Sequence, residues 1–127
     1  MTIAGRGAYD PSNVFARILR GELPAKIVFQ DEHVVAFHDI APRAPVHVLV
    51  ISRGAYVSFA DFAHRASGEE VVGFFRAVGL VATQIGLDEE GYRVISNIGG
   101  DAGQEVPHLH VHLMGGRQLG PMLVQPS

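Results

Sequence analysis

The chain has 127 residues, 47% of them apolar, with a formal net charge of −3 and no cysteine. That is the size of one domain with one core. The slight acidity speaks against a bulk nucleic-acid or anionic-membrane binder, each of which favours a basic face, and zero Cys removes disulfide and thiol chemistry and fits a cytoplasmic protein.

No apolar run approaches about 18 residues, and Met1 to Asp10 lacks the hydrophobic centre of a signal peptide, so neither a membrane span nor export is expected. Residues 1–11, with Gly5, Gly7 and Pro11, read as a flexible N-terminal tail, and 12–127 as a single domain. Ser12 or Asn13 can cap a short helix carrying Val14, Phe15, Ile18 and Leu19 on one side, with Gly21 as its stop. Lys26 to Gln30 and Val34 to Asp39 read as two strands around the turn Asp31-Glu32-His33. In the second, parity puts Val35, Phe37 and Asp39 on one face and Val34, Ala36 and His38 on the other.

The proline-punctuated stretch Ile40 to Pro45 leads into a third strand, Val46 to Ser52, where His47, Leu49 and Ile51 share a face. A lone His among aliphatics is more often a satisfied core residue than a catalytic one, so His47 needs outside support. Residues 53–66 are ambiguous, with room for one helical turn, and His64 is most simply a surface residue. Ser67 and Glu70 have capping-box spacing ahead of the main helix, which ends near Gly86. Val72, Phe74 and Val81 widen its apolar surface, and Gly73 and Gly79 would allow another backbone to approach. Tyr92 to Asn97 makes a fourth strand, followed by the glycine-rich loop 98–105.

The stretch His108-Leu109-His110-Val111-His112-Leu113-Met114 alternates strictly, as a β-strand does, so His108, His110 and His112 face one way and the aliphatics the other. Neighbouring imidazoles then stand about 6 to 7 Å apart at their Cα atoms. A polar solvent face, a metal site and imidazole catalysis are the three readings of such a row. Residues i and i+4 of one strand are about 13 Å apart, too far for one zinc ion to collect all three; two of them could bind one if a third ligand arrived from elsewhere, but the chain has no Cys and no HExxH or paired CxxC spacing. Nucleophilic or acid–base chemistry suits His because its unperturbed pKa is near 6.5. The glycine loop has neither P-loop nor GxGxxG spacing and reads alone as a turn; beside three His it reads better as a phosphate cradle.

The H-φ-H-φ-H-φ-φ pattern at 108–114 resembles the defining motif of the histidine triad (HIT) family of nucleotide hydrolases and transferases. RGELPAKIVF, AFHDIAPRAPVHVLVIS and GQEVPHLHVHLMGGRQ look like its nucleoside phosphoramidase branch, so the resemblance covers about 13 to 118. It implies an α+β fold, a five-stranded antiparallel sheet with two main helices, dimerising into a ten-stranded sheet, with a purine nucleotide at each histidine row. The implied reaction is hydrolysis of the P–N bond of purine nucleoside 5′-phosphoramidates through a nucleotidyl-histidine, with no cofactor and no metal. A dinucleoside polyphosphate hydrolase or nucleotidylyltransferase of the same fold, or a non-catalytic nucleotide- or metal-binding module, are the alternatives.

The resemblance also assigns roles. His110 matches the nucleophile, His112 the neighbour that serves the phosphoryl and leaving groups, and His108 and His47 the supporting histidines. Asp39 matches the carboxylate that receives the ribose hydroxyls, and Phe15, Ile18, Leu23, Phe37 and Ile40 the apolar slot for the base. Asn97, Gly103, Gln104, Glu105 and the amide of Val106 match the phosphate loop, where Glu105 replaces a serine of other members. The chain also lacks the Trp-Pro ending of eukaryotic members, and without Cys the zinc-binding variants of the family are disfavoured. The partners implied are the purine nucleotide and a second copy of the chain, with neither nucleic acid nor membrane.

Overall fold

A computed structural model describes residues 4–124. Three helices and five strands follow in the order α1 (Val14–Leu19), β1 (Ile27–Gln30), β2 (Val34–His38), β3 (Val46–Ser52), α2 (Phe59–Arg65), α3 (Gly68–Gln84), β4 (Arg93–Ile95) and β5 (His110–Gly115). All strand pairs are antiparallel, and the sheet runs β1-β2-β3-β5-β4. The α+β architecture and five-stranded sheet are those expected, and β3 has the bounds read from its alternation.

Local chemistry sets the element ends. Asn13, rather than Ser12, caps α1, its side chain accepting the Phe15 and Ala16 N–H groups, and Gly21 beyond the C-cap takes φ +77°. Asp31 Oδ1 accepts the His33 and Val34 N–H groups at 2.8 and 2.9 Å, which fixes the hairpin turn. The capping box of α3 is complete, with Ser67 and Glu70 each satisfying the other's backbone N–H. The ambiguous 53–66 segment contains a helix of two turns, α2, capped by Ser58; its buried Asp61 accepts the Val57 N–H at 2.9 Å and pairs with Arg65.

Each face of the sheet has its own apolar cluster. Val34, Ala36, Val48, Val50, Leu109, Val111 and Leu113 pack under α2 and α3 with Phe62, Phe74, Ala77 and Val81. On the opposite face Val35, Phe37, Leu49 and Ile51 pack with Phe15 of α1, with Ile18, Leu19 and Val106 at the margin. The period-two alternation of β2 and β3 sorts their side chains between these clusters, so Leu49 and Ile51, in register with His112 and His110, lie on the α1 side. Gly73 accommodates a side chain, not the backbone expected there: a Cβ at this position would come within 2.2 Å of the His33 ring. Nothing in the described chain lies against Gly79.

Residues 4–11 carry no helix or strand, yet they are packed at three points. The Gly5 carbonyl accepts the Ser58 hydroxyl, Gly5 itself lies against Ile98, and the Tyr9 hydroxyl meets His108 Nδ1 at 2.5 Å. Among the described residues no helix is long and apolar enough to cross a membrane.

Candidate active site

β5 begins at His110, two residues later than its alternation suggests, because pairing with β3 starts at Ile51↔His110. His108 precedes the ladder and is fully buried, while His110 and His112 stand on the strand with ring centroids 5.2 Å apart. β3 adds His47. Its direct partner in the register is Met114, and Leu49 faces His112, so His47 reaches His112 diagonally, within the range of two long side chains. Phe15 closes the α1 side, edge-on to His110 at 5.0 Å and to His108 at 6.2 Å.

Hydrogen bonds to groups of fixed character assign each ring its proton. His110 Nδ1 lies 2.7 Å from the His108 carbonyl, which only accepts, so Nδ1 carries the hydrogen and Nε2 keeps a lone pair. His108 Nε2 lies 2.7 Å from the Ser52 carbonyl, so its hydrogen is on Nε2 and its Nδ1 accepts the Tyr9 hydroxyl. The Arg43 backbone N–H donates to His47 Nδ1 at 3.1 Å, which leaves the hydrogen on His47 Nε2. That Nε2–H is 2.9 Å from His112 Nδ1, closer than the 3.3 Å to Asp39 Oδ2, so His112 holds its hydrogen on Nε2. Adjacent imidazoles therefore expose opposite functions, a lone pair on His110 and an N–H on His112.

Burial keeps the row neutral. It pushes His108 down to about 4, against a hydrogen bond to Ser52 that favours the cation. Burial, then the neighbouring His110 and His47, push His112 down to about 4. Burial also lowers His110, with the His108 carbonyl, Asp39 and Glu105 pulling the other way, and lowers His47, which Asp39 partly opposes.

The remaining sequence-assigned residues divide clearly. Asp39 continues the parity of Phe37 beyond the end of β2; its Oδ1 accepts the Ala41 N–H at 2.8 Å and its Oδ2 faces His47. Phe15 and Phe37 are in edge contact at 5.7 Å, and Ile18 packs beside them. Leu23 is half-buried in the turn after α1, whereas Ile40 is fully exposed and outside that cluster. Asn97 is half-buried in the coil after β4.

In the glycine loop, Gly103 takes φ +71° and its N–H bonds Gly100 O. Gln104 is buried and fully committed: its N–H bonds Gly99 O, its Nε2 bonds the Val57 and Val106 carbonyls, and its Oε1 accepts the Gly99 N–H. It holds the loop and has no donor left for a ligand. The Val106 N–H, just beyond the loop, has no partner among the described residues and is free to donate. Glu105 is exposed, 4.0 Å from Arg43.

Sequence reasoning missed Arg43, Ser52 and Ser96, whose hydroxyl donates to the His110 carbonyl at 2.9 Å. Two of the three act through backbone groups, which no side-chain pattern reveals. For a metal, sequence reasoning left open two histidines of the row with a third ligand from elsewhere, and did not name the set the fold assembles, which uses one histidine of the row. The fold sets Asp39, His47 and His112 together, with one potential ligand atom from each inside 4.8 Å, so the distance argument against a shared ion does not hold for this cross-strand set.

A family model described as the HIT domain matches residues 20–119. An uncharacterized 13.2 kDa HIT-like protein of Azospirillum brasilense is 61% identical over 117 residues, 92% of this chain and 96% of its own length. A purine nucleoside phosphoramidase of Escherichia coli (strain K12) is 45% identical over 111 residues, 87% of this chain and 92% of its own. Among solved structures, a HIT family hydrolase from Clostridium thermocellum superposes with a TM-score of 0.81 at 40% identity, over 89% of this chain and 97% of the other.

Proposed function

The chain belongs to the HIT domain family, and we propose that it hydrolyses the P–N bond of purine nucleoside 5′-phosphoramidates through a nucleotidyl-His110 intermediate. The observation that carries this reading is the pair of opposite tautomers on His110 and His112. A nucleophile and a proton donor are needed at one phosphorus, and the two imidazoles face it with opposite functions, a lone pair on His110 Nε2 and an N–H on His112 Nε2.

In the first half-reaction His110 Nε2 bonds to phosphorus as the P–N bond breaks, its electron pair passing to the amine nitrogen. When the anionic phosphate binds, nearby negative charge favours the imidazolium: His112 takes up a solvent proton at Nδ1 as the His47 Nε2–H passes to Asp39 Oδ2, 3.3 Å away, and delivers its Nε2 proton to the departing amine. The Nδ1–H of His110 stays on the His108 carbonyl throughout, so the nucleotidyl-imidazole is formed as a cation, a good leaving group. Water then bonds to phosphorus, the P–Nε2 pair returns to His110, and the water's proton goes to His112. Asp39 serves the ribose hydroxyls, the Phe15–Phe37 side holds the purine, and the Val106 N–H meets a phosphate oxygen.

The 45% identity to the purine nucleoside phosphoramidase of E. coli supports this substrate class over the polyphosphate alternative. Purified protein offered adenosine 5′-phosphoramidate, a diadenosine polyphosphate and ADP separates the readings, with turnover expected for the first. Polyphosphate cleavage with the phosphoramidate untouched would refute it. His110→Ala is expected to bind AMP and turn nothing over, and quenching the active enzyme without acid should leave a nucleotide on His110.

A further inference from the structure

Tyr9 lies in what reads from sequence as a tail, and the histidine that it touches has no part in bond making. His108 stands outside the β3–β5 ladder, which begins at Ile51↔His110, yet its carbonyl fixes the Nδ1–H tautomer of His110. The orientation of that carbonyl is therefore not set by strand pairing alone. The His108 ring is instead held at both nitrogens: Nε2–H donates to the Ser52 carbonyl at 2.7 Å, and Nδ1 accepts the Tyr9 hydroxyl at 2.5 Å. Tyr9 also packs edge-on against the ring, centroids 5.6 Å apart, and Phe15 covers another side.

We propose that Tyr9 is a positioning residue for the reaction: its hydroxyl locks the ring of His108, which holds the carbonyl that orients and tautomerises the nucleophile His110. The lock is one-directional. Because Nε2 must keep its hydrogen for Ser52, Nδ1 can only accept, and the Tyr9 O–H can only donate. Burial raises the Tyr9 pKa, which keeps the phenol protonated as this role requires. The segment that carries Tyr9 is itself tied down, by Gly5 on Ser58 and Ile98 and by the Asn13 side-chain amide, which donates to the Asp10 carbonyl at 2.8 Å. The N-terminal segment thus belongs to the catalytic architecture and is more than a leader to it.

The inference rests on the phosphoramidase reading for its kinetic arm only. Tyr9→Phe keeps the ring and removes the donor. It is expected to lower kcat for adenosine 5′-phosphoramidate about three- to tenfold, the effect of one ordinary hydrogen bond, with KM changed less than about twofold. In the free protein, long-range ¹⁵N–¹H correlations are expected to show His108 as Nε2–H in both forms, held by the Ser52 carbonyl, and His110 as pure Nδ1–H in the native chain but as a mixture of tautomers in Tyr9→Phe. A merely structural Tyr9 would not alter that pattern. Unchanged kcat, or an unchanged His110 tautomer, would overturn the proposal. If the native protein turns over no phosphoramidate, the reading of the reaction fails, while the His110 spectra still decide whether the lock exists.

Discussion

The Nε2–H of His47 lies 2.9 Å from Nδ1 of His112, and its own Nδ1 accepts the Arg43 backbone N–H at 3.1 Å. A main-chain amide in the Pro42–Pro45 connection thereby sets, through two imidazoles, which nitrogen of His112 faces the substrate side. Removing the relay in His47→Ala frees His112 to turn Nδ1–H toward Asp39. Steady-state kinetics are expected to show kcat reduced about tenfold or more, a part of the roughly 10²- to 10⁴-fold that a positioned proton donor contributes, with KM little changed. Wild-type kcat in this variant would remove the relay from the mechanism.

Much of this was legible in residue order. Alternation over Val46–Ser52 located β3, and Ser67 with Glu70 located the start of α3, because both signals are local. The pairing of His47 with His112 was not legible, since it depends on the β3–β5 register and on a diagonal reach. The tautomers were invisible for the same reason: they follow from carbonyls of Ser52 and His108 and an amide of Arg43, which every residue type possesses. Gln104 looked like a ligand contact until its donors were traced to the loop's own carbonyls.

Stability should fall in mild acid because His108 is buried as a neutral ring. Its value of about 4 in the fold stands against 6.5 ordinarily, so between these pH values the unfolded chain binds more protons than the native one. Unfolding free energy then rises with pH across that window, and stability present above 6.5 is lost as pH falls toward 4, on the order of 3 kcal/mol for this group. Urea denaturation from pH 7 to 4.5 is expected to show the slope, and His108→Gln to reduce it while the share of His112, likewise lowered to about 4, remains.

Glu105 places a carboxylate beside a site that receives an anion, and its charge favours protonated His110. Its pairing with Arg43, at 4.0 Å between two side chains about 80% exposed, has little stabilising value. Glu105→Ser is therefore expected to leave Tm within about a degree and to tighten AMP binding several-fold at low salt, with the gain shrinking as salt is raised. Isothermal titration at two ionic strengths checks both the sign and the screening.

Asp39, His47 and His112 form a set that could take a divalent cation, but ligation would cost the hydrogen bond that sets His112. Chelator treatment is expected to leave turnover unchanged, and added zinc to inhibit, with the inhibition weakened in Asp39→Asn. Loss of activity on chelation, restored by zinc, would instead make an ion part of the chemistry.

Assembly follows from the surface the fold leaves uncovered. The sheet order puts β4 at an edge, beyond β5, with one side of its backbone unpaired, and exposed edges invite pairing. Val94 of this strand is opposite Leu113 in the register and so lies on the helix side of the sheet, yet it is half exposed. On α3, Phe74, Ala77 and Val81 are buried, while Val72, Phe75 and Leu80 are each more than half exposed and form, with Gly79, a separate stripe. The segment 53–66 does not wrap that stripe: α2 packs Phe62 on Phe74, at the buried side. A two-fold dimer would pair β4 with its symmetry mate and cover the α3 stripe with its own copy, giving a ten-stranded sheet with both histidine rows on one surface. Sedimentation at micromolar concentration is expected to give twice the 13.7 kDa chain mass, and Phe75→Glu, which places a charge in the stripe away from the core, to shift it toward monomer. A native chain sedimenting as a fully active monomer would show that the exposed stripe has another use.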